Sequence, residues 1–197
     1  MAFNLQGAYN WIEAKCNNPN VRYSQAYRKY RTVDGLTYFD CSSLVFFGMW
    51  LGGGLDIGAL GYSTTLTDYT NPTPGHMANA WIVQTMEPAL VSLGWKDVRL
   101  DLPNEWLPGD ILIKYTQWHT EMIYSGEPNL MQMGARNSSL SAAEQVAIHT
   151  LYTGYYDRIL RDPTQPPPTP GPGPHPGPSK PMPIWLIKKG REANGYI

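Results

Sequence analysis

The sequence lacks the features that mark disulfide-rich, zinc-binding and membrane-spanning proteins. Its 197 residues include two cysteines, Cys16 and Cys41, which is too few for the set of bridges that stabilises a small secreted domain. The common zinc patterns CxxC and HExxH are absent, and we expect no metal ion or other cofactor. No stretch approaches the roughly 20 apolar residues that cross a bilayer, so we expect no membrane span.

The charges nearly balance, which argues against nucleic acid as a partner. Fifteen Lys and Arg residues face 16 Asp and Glu residues, giving a formal net charge of −1 at pH 7, whereas nucleic-acid-binding domains carry a basic surface. The first residues lack the basic start and apolar run of a secretory signal, which predicts synthesis in the cytoplasm. Tyrosine and tryptophan are plentiful, with 13 and 7 residues against 4 phenylalanines. Their rings combine apolar area with a polar atom and suit grooves that bind polar polymers such as glycans.

Composition divides the chain into three parts. We expect a folded domain over residues 1–162, because this part holds the periodic apolar segments. Residues 163–183 are so rich in proline and glycine that they predict an extended linker. Residues 184–197 form a short apolar tail, and the stretch 163–197 contains four Lys or Arg residues and one Glu. A basic, apolar tip after a linker suggests a segment that binds a surface or a partner protein.

Within residues 1–162, apolar periodicity predicts helices first and strands afterwards. The predicted helices cover 3–16, 41–51 and 78–93, with a loop over 20–38 after the first of them. Short alternating apolar runs predict strands over 110–116, 119–125, 129–134 and 154–161. This order of elements predicts an α+β domain in which N-terminal helices pack on an antiparallel sheet.

The motif Asp40-Cys41-Ser42-Ser43 places a thiol in the first turn of the second predicted helix. Asp40 can cap this helix, and the dipole and unpaired N–H groups at such an N-terminus stabilise a thiolate, the nucleophilic form of cysteine. The same N–H groups can hold the oxyanion of a tetrahedral intermediate. Cys16 instead lies on the apolar face of the first predicted helix, as a small core residue would. Cys41 is therefore the candidate nucleophile.

His119 is the candidate general base. The Pro-Gly-Asp turn at 108–110 starts one predicted strand, and His119 begins the next. A histidine at a strand start beside a helix-borne cysteine is how unrelated cysteine hydrolases place an imidazole against a thiol. The other histidines fit this role less well, since His76 lies in a Pro/Gly loop, His149 in a polar stretch without clear periodicity, and His175 in the linker.

In this order of helix-start cysteine, Pro-Gly-Asp turn and strand-start histidine, the chain resembles the phage peptidoglycan amidases within the NlpC/P60-like, papain-like cysteine hydrolases. The residues that carry the resemblance are Arg22-Tyr23-Ser24, Phe39-Asp40-Cys41-Ser42-Ser43-Leu44-Val45, Leu107-Pro108-Gly109-Asp110-Ile111, His119-Thr120-Glu121-Met122 and Arg158-Ile159-Leu160-Arg161. The resemblance implies a papain-like fold of the NlpC type and hydrolysis of an amide in bacterial peptidoglycan without a metal ion.

The resemblance also implies roles for matched residues. Cys41 would attack a carbonyl carbon of the peptide stem, and His119 would take the thiol proton and return it to the leaving amine. Tyr23, Asp40 and Ser42 match positions that line the pocket for the stem peptide in related enzymes. For Asp40 this role is compatible with that of a helix cap.

The third catalytic position departs from the family pattern. Relatives place a polar residue, often His, on the strand after the catalytic histidine, where this chain has Gly134. Gln132 shares a strand face with position 134 and is the predicted orienting residue, with Asn137 and Glu121 as alternatives. Trp118, the neighbour of His119, is the tryptophan that we expect to contact substrate.

Together with the resemblance, these residues predict a phage-type endolysin that cleaves a cell-wall amide through a thioester. It would be an N-acetylmuramoyl-L-alanine amidase or an endopeptidase of the stem or cross-bridge. It would reach the wall after holin release or from a virion, and its tail would bind the wall or a partner protein. Two alternatives remain, a wall-binding module without catalysis and a cytoplasmic papain-like hydrolase or transferase that acts on other amides.

Overall fold

The computed structural model describes residues 3–27, 29–70, 80–164 and 166–169. His76, His175, most of the predicted linker and the whole predicted tail at 184–197 lie outside these residues. The described chain is an α+β fold, as the order of its apolar segments predicts. None of its helices is long and apolar enough to cross a membrane.

A six-stranded antiparallel sheet forms the centre of the fold. Its strands are β4 (Lys96–Asp97), β5 (Ile111–Lys114), β6 (His119–Ser125), β7 (Met131–Ala135), β8 (Val146–Thr150) and β9 (Arg158–Arg161). Their order across the sheet is β4-β9-β5-β6-β7-β8. β5, β6 and β9 fall within the predicted segments, β7 extends one residue beyond the segment 129–134, and the two-residue strand β4 was not predicted. The sequence analysis did not predict β8, the edge strand that carries His149.

Helices cover one face of this sheet. The longer ones are α1 (Leu5–Cys16) and α4 (Val83–Ser92), with α2 (Cys41–Phe47) and a single turn, α3 (Thr67–Thr70), between them. On β6, Met122 and Tyr124 belong to the main core with residues of α1 and α2. Ile123, which points to the opposite side of the strand, belongs to a second cluster with Trp106 and Tyr156. The alternation of a strand therefore gives β6 two buried faces.

Local hydrogen bonds start α2 at Cys41. The Asp40 carboxylate accepts from the Ser43 N–H at 2.8 Å, and the Ser43 hydroxyl accepts from the Asp40 N–H at 2.9 Å, which together form a capping box. The predicted helix cap is thus confirmed. The helix continues as a π-helical segment, Gly48–Gly52. A Cβ on Gly48 would lie 2.5 Å from Ile12 Cγ1, so the missing side chain allows α1 to pack closely here.

The expected loop over residues 20–38 is wrong, because this stretch forms a small sheet. Its strands are β1 (Val21–Tyr23), β2 (Lys29–Val33) and β3 (Leu36–Phe39), in the order β1-β3-β2. Asp34 and Gly35 connect β2 to β3 with φ of 52° and 78°, the left-handed conformations that a type I′ hairpin turn requires. The Asp-Gly pair was the sequence signal for this hairpin. The parallel pairing of β1 with β3 has no comparable local signal.

The first described residues of the Pro-rich segment contact the domain. The Thr169 N–H donates to Gln6 Oε1 at 2.8 Å, and Gln6 Nε2 donates to the Thr169 carbonyl at 3.1 Å. Pro168 is buried, and its Cδ would lie 2.8 Å from a Cβ added to Gly109. Residues 166–169 therefore dock on α1 and on the Pro-Gly-Asp turn.

Candidate active site

Cys41 and His119 meet at a cavity of about 460 Å³. The start of α2 supplies the thiol and the start of β6 supplies the imidazole, and the two side chains are close enough for Cys41 to influence the pKa of His119. Cys41 is 7% exposed and lines the cavity. The thiol also contacts the carbonyl oxygen of Trp118 at 3.7 Å. Two segments that are far apart in the sequence thus converge on one site, and the contact between Cys41 and Trp118 spans 77 residues.

Glu121 is the carboxylate that holds His119. Its Oε1 lies 2.8 Å from His119 Nε2, which leaves Nδ1 as the ring nitrogen available to the Cys41 thiol. The Glu121 side chain is 2% exposed. Positions 119 and 121 share one face of β6, so the strand itself places the carboxylate beside the ring.

His149 binds the other oxygen of the same carboxylate. Its Nε2 lies 2.7 Å from Glu121 Oε2, and its Nδ1 lies 3.2 Å from the carbonyl oxygen of Thr150. Both partners are acceptors, so both hydrogen bonds form only when both ring nitrogens carry protons. A row of neighbouring side chains therefore links α2, β6 and β8, in the order Cys41, His119, Glu121 and His149.

Gly134 leaves the space that this row of side chains needs. It lies on β7, between β6 and β8, and a Cβ at this position would be 2.6 Å from Glu121 Cγ and 3.0 Å from Cδ. Without a side chain on the intervening strand, the carboxylate of Glu121 can extend over β7 to His149. Gly134 is the position at which the resemblance led us to expect a third polar residue, and the side chain of Glu121 occupies the space that a Cβ there would fill.

Electrostatics couple the members of the cluster. Burial opposes ionisation of Glu121, but the charges and hydrogen bonds of His149 and His119 hold its pKa well below the usual range. Burial likewise opposes protonation of His119, yet its interactions with Cys41 and Glu121 raise its pKa to about 10. The cluster therefore favours an imidazolium at position 119 next to the thiol.

Of the other predicted site residues, three line the cavity and two do not. Tyr23, Trp118 and Gln132 are among the lining residues, and Trp118 is 52% exposed. Its φ of 47° lies in the left-handed region, which is costly for a residue with a side chain. Asp40 and Ser42 are buried and are not among the described residues that line the cavity.

Gln132 contacts His149 rather than His119. Its Nε2 is 3.4 Å from each ring nitrogen of His149, a long distance for a hydrogen bond. Asn137, the other alternative, lines the cavity and accepts the N–H of Ser139 at 2.9 Å. Among the described residues, Glu121 is the carboxylate that contacts the His119 ring.

Sequence reasoning missed His149 as a site residue. The sequence feature that could have identified it is the alternation of apolar and other residues along β8. Val146 and Ile148 are buried on one face of this strand, and His149 points to the other. The described residues contain no group of three or more His, Cys, Asp or Glu side chains arranged to hold a metal ion. Comparison of the chain with protein-family models and with curated proteins finds no match.

Proposed function

We propose that the protein is a cysteine hydrolase that cleaves an amide of bacterial peptidoglycan, with Cys41 as nucleophile and His119 as acid and base. The observation that carries this proposal is that the Cys41 thiol and the His119 imidazole line one cavity, with the Glu121 carboxylate bound to the ring. A nucleophile, a base within hydrogen-bond reach and a third group that orients the base together define this class of site.

Acylation would begin from a thiolate next to the His119 imidazolium. The sulfur attacks the scissile carbonyl carbon, and the carbonyl electrons move to the oxygen. Backbone N–H groups in the first turn of α2 would stabilise this oxyanion. When the intermediate collapses, His119 gives its proton to the amide nitrogen, which leaves as an amine. The acyl group remains on Cys41 as a thioester.

Deacylation would use the same two residues. The now neutral His119 removes a proton from water as the water oxygen attacks the thioester carbon. Collapse of this second intermediate releases the carboxylic acid and restores the thiolate and the imidazolium. Glu121 would stabilise each imidazolium and keep Nδ1 directed at the sulfur, with His149 holding the other carboxylate oxygen.

The surroundings of the thiol support a peptide of the bacterial wall as substrate. The cavity wall combines Tyr23, Trp118 and Tyr152 with the polar residues Asn137 and Ser138, and such rings suit a polar polymer. The resemblance to phage peptidoglycan amidases points to the same substrate. On this basis we also propose a papain-like fold of the NlpC type and action on the wall after holin release or from a virion.

Digestion of purified peptidoglycan tests the proposal. The protein, Cys41→Ala and Cys16→Ser would be compared, and fragments analysed by mass spectrometry with labelling of new amino termini. Cys41→Ala should lose activity by about 10⁴-fold or more, because the nucleophile is gone. Cys16→Ser should retain most activity, since burial raises the pKa of the Cys16 thiol far above its ordinary value and keeps it protonated.

The fragments also identify the bond. New L-Ala amino termini with unsubstituted lactyl groups would establish a muramoyl amidase, and termini at another stem or cross-bridge residue an endopeptidase. The proposal is contradicted if several wall types yield no fragments that depend on Cys41. A wall-binding module or a hydrolase of cytoplasmic amides would then be the better hypothesis.

A further inference from the structure

Arg136 differs from the other arginines whose side chains the structure describes. The side chains of those arginines all donate hydrogen bonds to acceptors within the protein. The donors and acceptors are Arg22 to the Pro19 and Val21 carbonyls, Arg99 to Asp101, Arg158 to Asp97 and Glu87, and Arg161 to Asp110. The Arg136 guanidinium has no hydrogen-bond or ion-pair partner among the described residues, and Arg136 lines the cavity that holds Cys41. It is half-buried.

The sheet places Arg136 on the same face as the catalytic cluster. Its N–H donates to the Gln145 carbonyl at 2.7 Å, which continues the β7–β8 ladder beyond Ala135. Side chains two residues apart on a strand share a face and lie about 7 Å apart. Arg136 therefore lies one such step from Gly134, over which the Glu121 carboxylate passes.

The charge of Arg136 acts within the cavity. Burial and the charge of Glu121 raise the pKa of Tyr155 to about 12, and Arg136 opposes this increase. Tyr155 and Tyr156 both line the cavity, and the charge of Arg136 acts to lower the pKa of each of them. Glu121, the acidic residue of the cavity wall among those described, is already bound to His119 and His149. The guanidinium thus has no counter-ion among the described residues.

We propose that Arg136 binds a carboxylate of the substrate, so that the preferred substrate is a peptide stem with a free carboxylate close to the scissile amide. The planar guanidinium can donate two parallel hydrogen bonds to such a group. This inference rests on the proposed function. The carboxylate could be carried by an acidic residue within the stem or be the stem's own C-terminus, and both offer the same chemistry to Arg136.

Three muropeptides distinguish these sources. The first has all its carboxylates free, the second has the in-stem carboxylate amidated, and the third has a C-terminal amide. Hydrolysis would be measured with the wild type, Arg136→Gln, Arg136→Lys and Arg99→Gln. Arg99 is the matched control, because it is exposed and paired with Asp101 away from the cavity. Calorimetry of Cys41→Ala and Cys41→Ala/Arg136→Gln would measure binding without turnover.

Arg136→Gln should lower kcat/KM for the free acid by about 10- to 100-fold, the size of a lost charge-assisted hydrogen bond, mainly through KM. Arg136→Lys should lose less, because it keeps the charge, and Arg99→Gln should match the wild type. The muropeptide whose amidation removes the difference between wild type and Arg136→Gln identifies the carboxylate. Equal losses on all three muropeptides, no loss, or no binding of any acidic muropeptide would overturn the inference.

The two proposals can fail separately. Binding that depends on Arg136 without any Cys41-dependent hydrolysis would keep the carboxylate site and refute the hydrolase. Cys41-dependent hydrolysis that is the same in wild type and Arg136→Gln would support the hydrolase and refute the carboxylate site.

Discussion

At the scale of single residues, the main question is which side chain orients His119. Glu121 lies 2.8 Å from the ring, whereas Gln132 contacts His149. The two assignments differ in charge as well as position. A carboxylate stabilises the imidazolium, while a neutral amide can only hold its orientation. Paired substitutions therefore separate them.

Glu121→Gln should lower kcat/KM by about 10²- to 10⁴-fold, because it keeps the shape of the side chain but removes the charge that stabilises the imidazolium. The alkaline limb of the pH profile should move from near 10 in the wild type toward 6.5, the ordinary value for histidine. Gln132→Ala is the matched control and should cost less than about 10-fold. A larger loss in Gln132→Ala than in Glu121→Gln would assign the orienting role to Gln132.

The same groups link stability to pH with opposite signs. The pKa of His119 is raised from 6.5 to about 10 on folding, so its contacts stabilise the fold fully below pH 6.5. That contribution is lost as the pH rises through 10. The pKa of Glu121 is lowered from 4.5, so its contribution is present above that pH and is lost in acid. In Glu121→Gln the contribution of His119 should be smaller, and that of the carboxyl at position 121 should be absent.

At the scale of secondary structure elements, the fit between neighbouring strands decides whether the cluster can form. Gly134 is buried on β7, directly beneath the Glu121 side chain. The absence of a side chain at this position of β7 leaves space for a carboxylate from the adjacent strand. The cost of filling that space can be measured.

Gly134→Ala should reduce kcat/KM by about 10-fold or more and shift the alkaline limb downward, because the new Cβ would lie 2.6 Å from Glu121 Cγ and displace its carboxylate. Ala135→Gly provides the control. Ala135 faces the main core, so its loss should lower thermal stability, by about 1 kcal/mol, and leave the pH profile unchanged. An unchanged profile in Gly134→Ala would show that Glu121 does not need this space.

At the scale of the whole molecule, residues beyond the last strand pack against the domain. Composition places the boundary at residue 162, yet residues 166–169 contact α1 through Gln6 and cover Gly109 with Pro168. A proline-rich segment can dock in this way because its fixed backbone loses little entropy on binding. The segment could therefore contribute to stability as well as act as a spacer.

A protein ending at Thr169 should be more stable than one ending at Asp162 by about 2 kcal/mol, the scale of two hydrogen bonds and a buried ring. The melting temperature should differ by ~4–8 °C for a domain of this size. Equal melting temperatures would mean that the docked residues contribute nothing to stability.

Sedimentation with purified walls, comparing the full chain with the form ending at Thr169, would show whether residues 170–197 bind the wall.

The sequence by itself determined the parts of this protein that depend on near neighbours. Asp40 caps α2 three residues from Ser43, His119 begins a strand with alternating burial, and the α+β order follows from apolar periodicity. The Asp34-Gly35 turn carried the same kind of signal. Capping and alternation act over a few residues, so they can be predicted from the order of residue types.

Only the tertiary structure decided which groups complete the site. Glu121 and His149 are 28 residues apart, and their contact depends on the strand order β6-β7-β8, on the register of the strands and on a glycine between them. That Arg136 has no counter-ion in the part of the chain that the structure describes likewise follows from its three-dimensional surroundings and not from its sequence neighbours. Register and strand order are set by packing of the whole sheet, which no local pattern in the chain encodes.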